Sequence, residues 1–263
     1  MELSSSINVL KMLSTFTTNC PFACQSLSHT SPVAGTGPRK NPSSVSLLHE
    51  IIAKISKEMD MLSKTHDVLP LRLCFNVLQN TASVLECRVC ITKSNLLQGM
   101  LKMHPALNKR QKPWDMVELI WLEYLQVFTV YPEGQLYIGK LPDVLDIIIA
   151  LTQSTSKQNK QAALVVLQNI SFHSSNRARL LTTSNFINTL SSKLEFGSEK
   201  EKITVVNTMW ALAANNMKAK SIFKSAKLDS KLGDALKKIQ LLNDGNLSDE
   251  EMERMQYVLE ILM

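Results

Sequence analysis

Apolar residues along the chain recur at three- and four-residue steps and show no alternating strand pattern, so the predicted elements are helices. A short amphipathic stretch runs from about Ser5 to Thr18. Leu47, Leu48, Ile51, Ile52, Ile55, Met59 and Leu62 then mark one apolar helix face. Pro70, Pro113 and Pro142 each suit the first turn of a helix, where the missing N–H is not needed. Ser248 and Glu251 form a capping box before a last helix reaching about Met263. Shifting the chain by 42 residues superimposes the apolar positions. Leu122, Leu164 and Val206 align, as do Leu125, Leu167 and Met209. So do Phe128, Ile170 and Leu212; Ile138, Leu180 and Ile222; and Ile148, Leu190 and Leu232. An earlier copy aligns at a shift of 89 through Phe75, Leu78, Ile91 and Leu101, the excess over two periods falling in a loop from His104 to Lys112.

About four units follow, at 70–103, 114–152, 157–194 and 199–237. One such unit cannot bury its apolar face alone, and stacked neighbours share a continuous core. The expected fold is all-α: a right-handed α-solenoid of about four armadillo/HEAT-like repeats. The expected domain plan is an N-terminal helix at 1–19, a disordered Pro/Ser-rich linker at 20–44, and a repeat domain at 45–263 ending in a capping helix at 248–263.

Composition agrees. With 44% apolar and 20% charged residues, wholesale disorder is excluded. Only 8 glycines in 263 residues argue against sandwiches, barrels and dinucleotide-binding sheets, which need glycine at turns and phosphate loops. No apolar run approaches membrane-span length, and Glu2 stands where a secretion signal wants positive charge. The net charge of +6 is too diffuse to name a partner.

The third unit, Gln161 to Leu194, resembles an armadillo repeat through Ala162-Ala163, Leu164, Leu167, Asn169, a polar turn with Asn176, Leu180, and the closing Ile187, Leu190 and Leu194. Residues 208–223 repeat the texture. More narrowly, segments 109–135, 164–181 and 209–226 resemble the C-terminal armadillo-like region of the rotatin family, very large vertebrate proteins of centrioles and basal bodies. The resemblance implies a short isoform or fragment acting in centriole integrity, ciliogenesis and left–right axis specification. It implies protein partners at the centrosome, and location in the cytoplasm at centrioles and basal bodies.

Armadillo grooves of the peptide-binding type carry an asparagine ladder, because an amide offers donor and acceptor together. Asn80 and Asn169 match that column, but Val127 and Ala211 occupy it in the other units. Trp121, Trp210 and Asn215 complete the groove candidates; the Trp210–Asn215 spacing is five where the ladder has four. An import receptor is therefore disfavoured. The alternative function is an armadillo-type adaptor for basic peptides or nucleic acid. Basic residues cluster at Lys109, Arg110 and Lys112, and again at Lys218, Lys220 and Lys224 with four further lysines to Lys238. They could face an acidic partner. Without interleaved aromatics, nucleic acid is disfavoured.

No phosphate loop, nucleophile elbow or metalloprotease motif occurs, so neither an enzyme, a cofactor nor a small-molecule substrate is expected. His173 suits a cationic cap at a helix end. Cys87 and Cys90, with Cys20 and Cys24, have zinc-knuckle spacing. Cys87 and Cys90 sit in an apolar, helix-like pattern and the other pair in a Pro/Ser segment, which favours free thiols over a metal site.

Overall fold

In the computed structural model, residues 3–29, 46–94, 96–100, 114–242 and 247–262 are described. Fifteen helices are bounded as α1 Leu3–Thr17, α2 Pro21–Ser28, α3 Leu47–Thr65, α4 Leu69–Thr81, α5 Leu85–Lys93, α6 Trp114–Phe128, α7 Pro132–Lys140, α8 Val144–Leu151, α9 Lys157–Ser171, α10 Ser174–Thr182, α11 Phe186–Phe196, α12 Glu199–Ala213, α13 Met217–Ser225, α14 Leu228–Leu242 and α15 Asp249–Leu262. A further helical stretch covers 96–100, and no strand occurs among the described residues. The fold is an all-α solenoid. Two compact units divide within α7: Met1–Gly134 and Gln135–Met263.

In the first unit α4 packs against α1, α3 and α6, and α2 against α3 and α5. A long helix, a short helix and a further helix follow one another in α1–α2–α3 as in the repeat, and the long helix α1 packs on the long helix α4 as α9 does on α12, so a repeat-like unit precedes those visible in the 42-residue period. The expected linker from residue 20 is corrected here: Pro21–Ser28 is helix α2, with Ala23, Cys24 and Leu27 buried. Pro21 needs no N–H in the first turn. Ser26 and Ser28 return their hydroxyls to the carbonyls of Phe22 and Gln25, at 2.9 and 2.7 Å, so a serine-rich string closes as a helix. The remainder of the linker, 30–44, lies outside the described residues, as does the loop at 104–112.

In the second unit α12 packs against α9, α11 and α15, α8 against α9, and α14 against α11 and α15. Leu164, Leu167, Ile170, Leu180, Leu190, Val206, Met209, Leu212 and Leu232 are all buried. Ile222 is the exception: it is half-buried, and Phe223 takes the interior place. The cause is local. Three residues separate α12 from α13, but two separate α9 from α10, so α13 advances by one position. Pro142 precedes α8 from a turn instead of opening it, whereas Pro132 is the first residue of α7.

Scarce glycine is offset at the turns by side chains that tolerate a left-handed backbone. Asn19, Asn185 and Asn215 have φ of 55°, 61° and 53°, and asparagine is the non-glycine residue best suited to that region. Helix starts are capped by Ser156, Ser198, Asn216 and Ser248. Ser198 and Glu201 form a second capping box beside the expected one, in which the Ser248 N–H donates to Glu251 at 2.9 Å.

Candidate protein-interaction surface

In the first unit, the Asn80 amide nitrogen donates toward Ser14 O at 3.0 Å, Thr17 Oγ1 at 2.9 Å and Thr18 Oγ1 at 3.3 Å. The asparagine expected to clamp a partner instead clamps α1. Asn80→Ala should cost about 1–2 kcal/mol, seen as faster amide exchange confined to α1; unchanged exchange there would refute the clamp. Trp121 is only 5% exposed, so it packs inside this unit and offers no groove surface.

In the second unit, Asn169 is half-buried and keeps a partner of its own. Asn215 is exposed at a left-handed turn, and that conformation explains the choice of asparagine without a ligand. Trp210 is 38% exposed, and its ring meets that of Phe172, 41% exposed, at a centroid distance of 6.0 Å and an interplanar angle of 65°. Phe172 is the C-cap of α9 and Trp210 lies in the last turn of α12. Met217, the first residue of α13, is 76% exposed. Sequence reasoning singled out Trp210 but missed Phe172 and Met217. Their signal was the placement of large apolar residues at consecutive bends, where the core period has already ended.

Arg177 on α10 donates to the Ala214 carbonyl at 3.1 Å, holding a guanidinium between the α9–α10 and α12–α13 bends. Lys218 and Lys224 are exposed on α13 and Lys220 is half-buried. Lys109, Arg110 and Lys112 lie outside the described residues.

Other polar residues that could be mistaken for a site are structural. Asn176 is buried and donates to Gln135 O at 2.9 Å and Ile170 O at 3.0 Å, while Arg179 bonds Leu141 O at 2.8 Å. A Cβ at Gly139 would stand 2.0 Å from the Asn176 side-chain oxygen, so this close approach requires glycine. His173 caps a helix, but as an N-cap: its Nδ1 accepts from the Ser175 N–H at 3.3 Å. That corrects the C-terminal role: the ring stands at a helix start, where the dipole does not favour a cation.

The buried thiols of Cys24 and Cys87 are hydrogen-bond donors. Cys24 Sγ donates to Asn80 O at 3.3 Å and Cys87 Sγ to Cys24 O at 3.3 Å. Burial pushes the Cys74 and Cys87 thiols up to about 12 and raises Cys90 as well. Cys90 lies 3.5 Å from His49 Nε2, a pairing the sequence separation conceals. Among the described residues no group of three or more His, Cys, Asp or Glu is placed to hold a metal ion.

The helix order and the stacked long helices define an α-solenoid of the armadillo class. A designed armadillo repeat protein superimposes with a TM-score of 0.69 at 16% identity, over 100% of this chain and 95% of its own. Another, in complex with the peptide (KR)4, gives 0.62 at 17% identity, over 97% and 99%. No family model matches the chain. Within that class the chain is similar to rotatin. It is 28% identical to mouse rotatin over 237 residues and 27% identical to human rotatin over 231, covering 89% and 86% of this chain. The rotatin homolog of Drosophila melanogaster is 26% identical over 205 residues, 70% of the chain. The chain spans about 10% of the length of each of these relatives. Among the described residues no helix is long and apolar enough to cross a membrane.

Proposed function

We propose that the chain is a non-catalytic helical-repeat scaffold that holds proteins together in centriole and basal-body assembly, and through cilia serves ciliogenesis and left–right axis specification. The observation that carries this reading is the similarity to rotatin across most of the chain, on a fold built for extended contact surfaces. Its location in this reading is the centrosome, the centriole and the ciliary basal body.

The test is to image the tagged chain in ciliated cells counterstained for centrioles. Enrichment at centrioles and capture of centriolar proteins is the expected result. A diffuse or nuclear signal with no such capture would overturn it. The adaptor reading draws support from the designed relative in complex with (KR)4. Against it stand Val127 and Ala211 in the ladder column and Asn80 bound to α1. Measurable binding of a (KR)4 peptide by this chain would favour the adaptor.

A further inference from the structure

The aromatic pair at the bends of the second unit lies in an unusual electrostatic setting. No aspartate or glutamate occurs anywhere in 147–194 or in 202–228. The carboxylates between these stretches include Glu195, paired with Lys231 at 2.6 Å, and Glu201, paired with Lys193 at 2.8 Å. The segments that build both bends therefore carry Arg177, Lys218, Lys220, Lys224 and Lys227 and supply no acid from within themselves; Lys224 keeps a partner of its own, and α15, which packs on α12 and α13, brings Glu250, paired with Arg254 at 2.7 Å.

On α13 the buried residues are Ala219 and Phe223. The opposite face presents Met217, Lys218, Ser221, Lys224 and Ser225 to solvent. An exposed Trp–Phe pair, followed at the start of the next helix by an exposed methionine, is the composition of an interface anchor, where Trp and Arg dominate binding energy and methionine adapts its shape to a partner. A rim of one charge sign selects the opposite sign and steers its approach.

We propose that this edge, centred on Phe172, Trp210 and Met217 and rimmed by Arg177, Lys218 and Lys224, docks an acidic polypeptide segment that carries a large aromatic or aliphatic side chain. The apolar residue packs against the ring pair, and its flanking carboxylates meet the lysines of α13. The inference rests on the scaffold reading for the premise that the chain binds proteins, and it names the chemistry of one partner. A protein segment fits better than single-stranded nucleic acid. The two rings meet edge-on, so they offer no flat platform to successive bases. The exposed cations of α13 are lysines, without the forked geometry that recognises phosphate bidentately.

The test is fluorescence anisotropy of the whole chain with a fluorescein-labelled peptide of glutamates carrying a phenylalanine at every fourth position. Controls are the same peptide with glycine for phenylalanine, the same peptide with glutamine for glutamate, and a labelled oligouridine. The chain should bind the first peptide, more weakly as salt rises, and should lose about tenfold or more with either peptide control. Trp210→Ala should weaken binding about tenfold. The surface variant Lys218→Glu/Lys224→Glu, at two exposed positions of α13, should abolish it. No binding at low salt, equal binding by that double variant, or tighter binding of oligouridine would each overturn the proposal. A chain that reaches centrioles yet ignores the peptide would refute this docking edge and leave the scaffold reading intact.

Discussion

Leu212→Ala should lower stability by about 2–5 kcal/mol, and Leu167→Ala by a similar amount. Leu212 is wholly buried on α12 and Leu167 nearly so on α9, and these two long helices pack on each other. In a stacked array each long helix is core for its own repeat and for its neighbours, so a lost side chain weakens an interface as well as a unit. Flanking helices are held by further contacts, which limits collapse into the cavity. Urea unfolding would read the loss as a lower midpoint at unchanged slope. Ile222→Ala is the internal control. It is aligned with buried Ile138 and Leu180, but α13 has advanced and left it half-buried, so its cost should fall below that of Leu212→Ala. A loss under about 0.5 kcal/mol at Leu212 would show that the repeat register is wrong.

The solenoid was legible because a three-to-four-residue period nested in a 42-residue one leaves few competing folds. What escaped were places where local chemistry departs from the average. Helix α2 was hidden by Pro21 and two serines, Ser26 and Ser28, whose loop-like composition is harmless once proline takes the first turn and the hydroxyls bond back to the helix. With α2 unseen, α1–α2–α3 could not be read as a repeat. The one-residue advance of α13 follows from a left-handed turn at Asn215, which an alignment of apolar columns cannot register.

The interaction surface was legible only in part. Residue type pointed to Asn80, Trp121, Asn169, Trp210 and Asn215, but type does not say whether a side chain faces solvent. Asn80 spends its donors on α1, Trp121 is interior, and Asn215 is a turn residue. Trp210 alone among them joins an exposed aromatic contact. Its partner Phe172 lies 38 positions earlier, a distance that only repeat stacking closes.

Glu201→Gln should cost about 2–3 kcal/mol at neutral pH, because hydrogen bonds to a charged group and a mostly buried ion pair are lost together. Lys193 lies 2.8 Å from Glu201, with side chains 9% and 14% exposed. Burial alone would push the Glu201 carboxyl up. The Lys193 ammonium and the Ser198 backbone N–H and hydroxyl overcome that and hold it below the ordinary glutamate value. Glutamine can still close the capping box with Ser198, so the loss isolates the charge. Glu201→Ala should cost roughly 1 kcal/mol more, the worth of the cap. Since the folded carboxyl titrates below the unfolded one, the unfolded chain binds more protons in that interval. The stabilisation is then complete above the ordinary glutamate value and is lost as pH falls through the lowered one. Wild type and Glu201→Gln should therefore differ most at neutral pH and converge in acid, as followed by urea midpoints across pH. Parallel curves would show that the pair contributes nothing through its charge. Lys193→Met/Glu201→Gln should recover most of the loss, because an apolar side chain there leaves no buried charge unpaired. That recovery would assign the cost of the single variant to the stranded ammonium rather than to a collapsed α11–α12 turn.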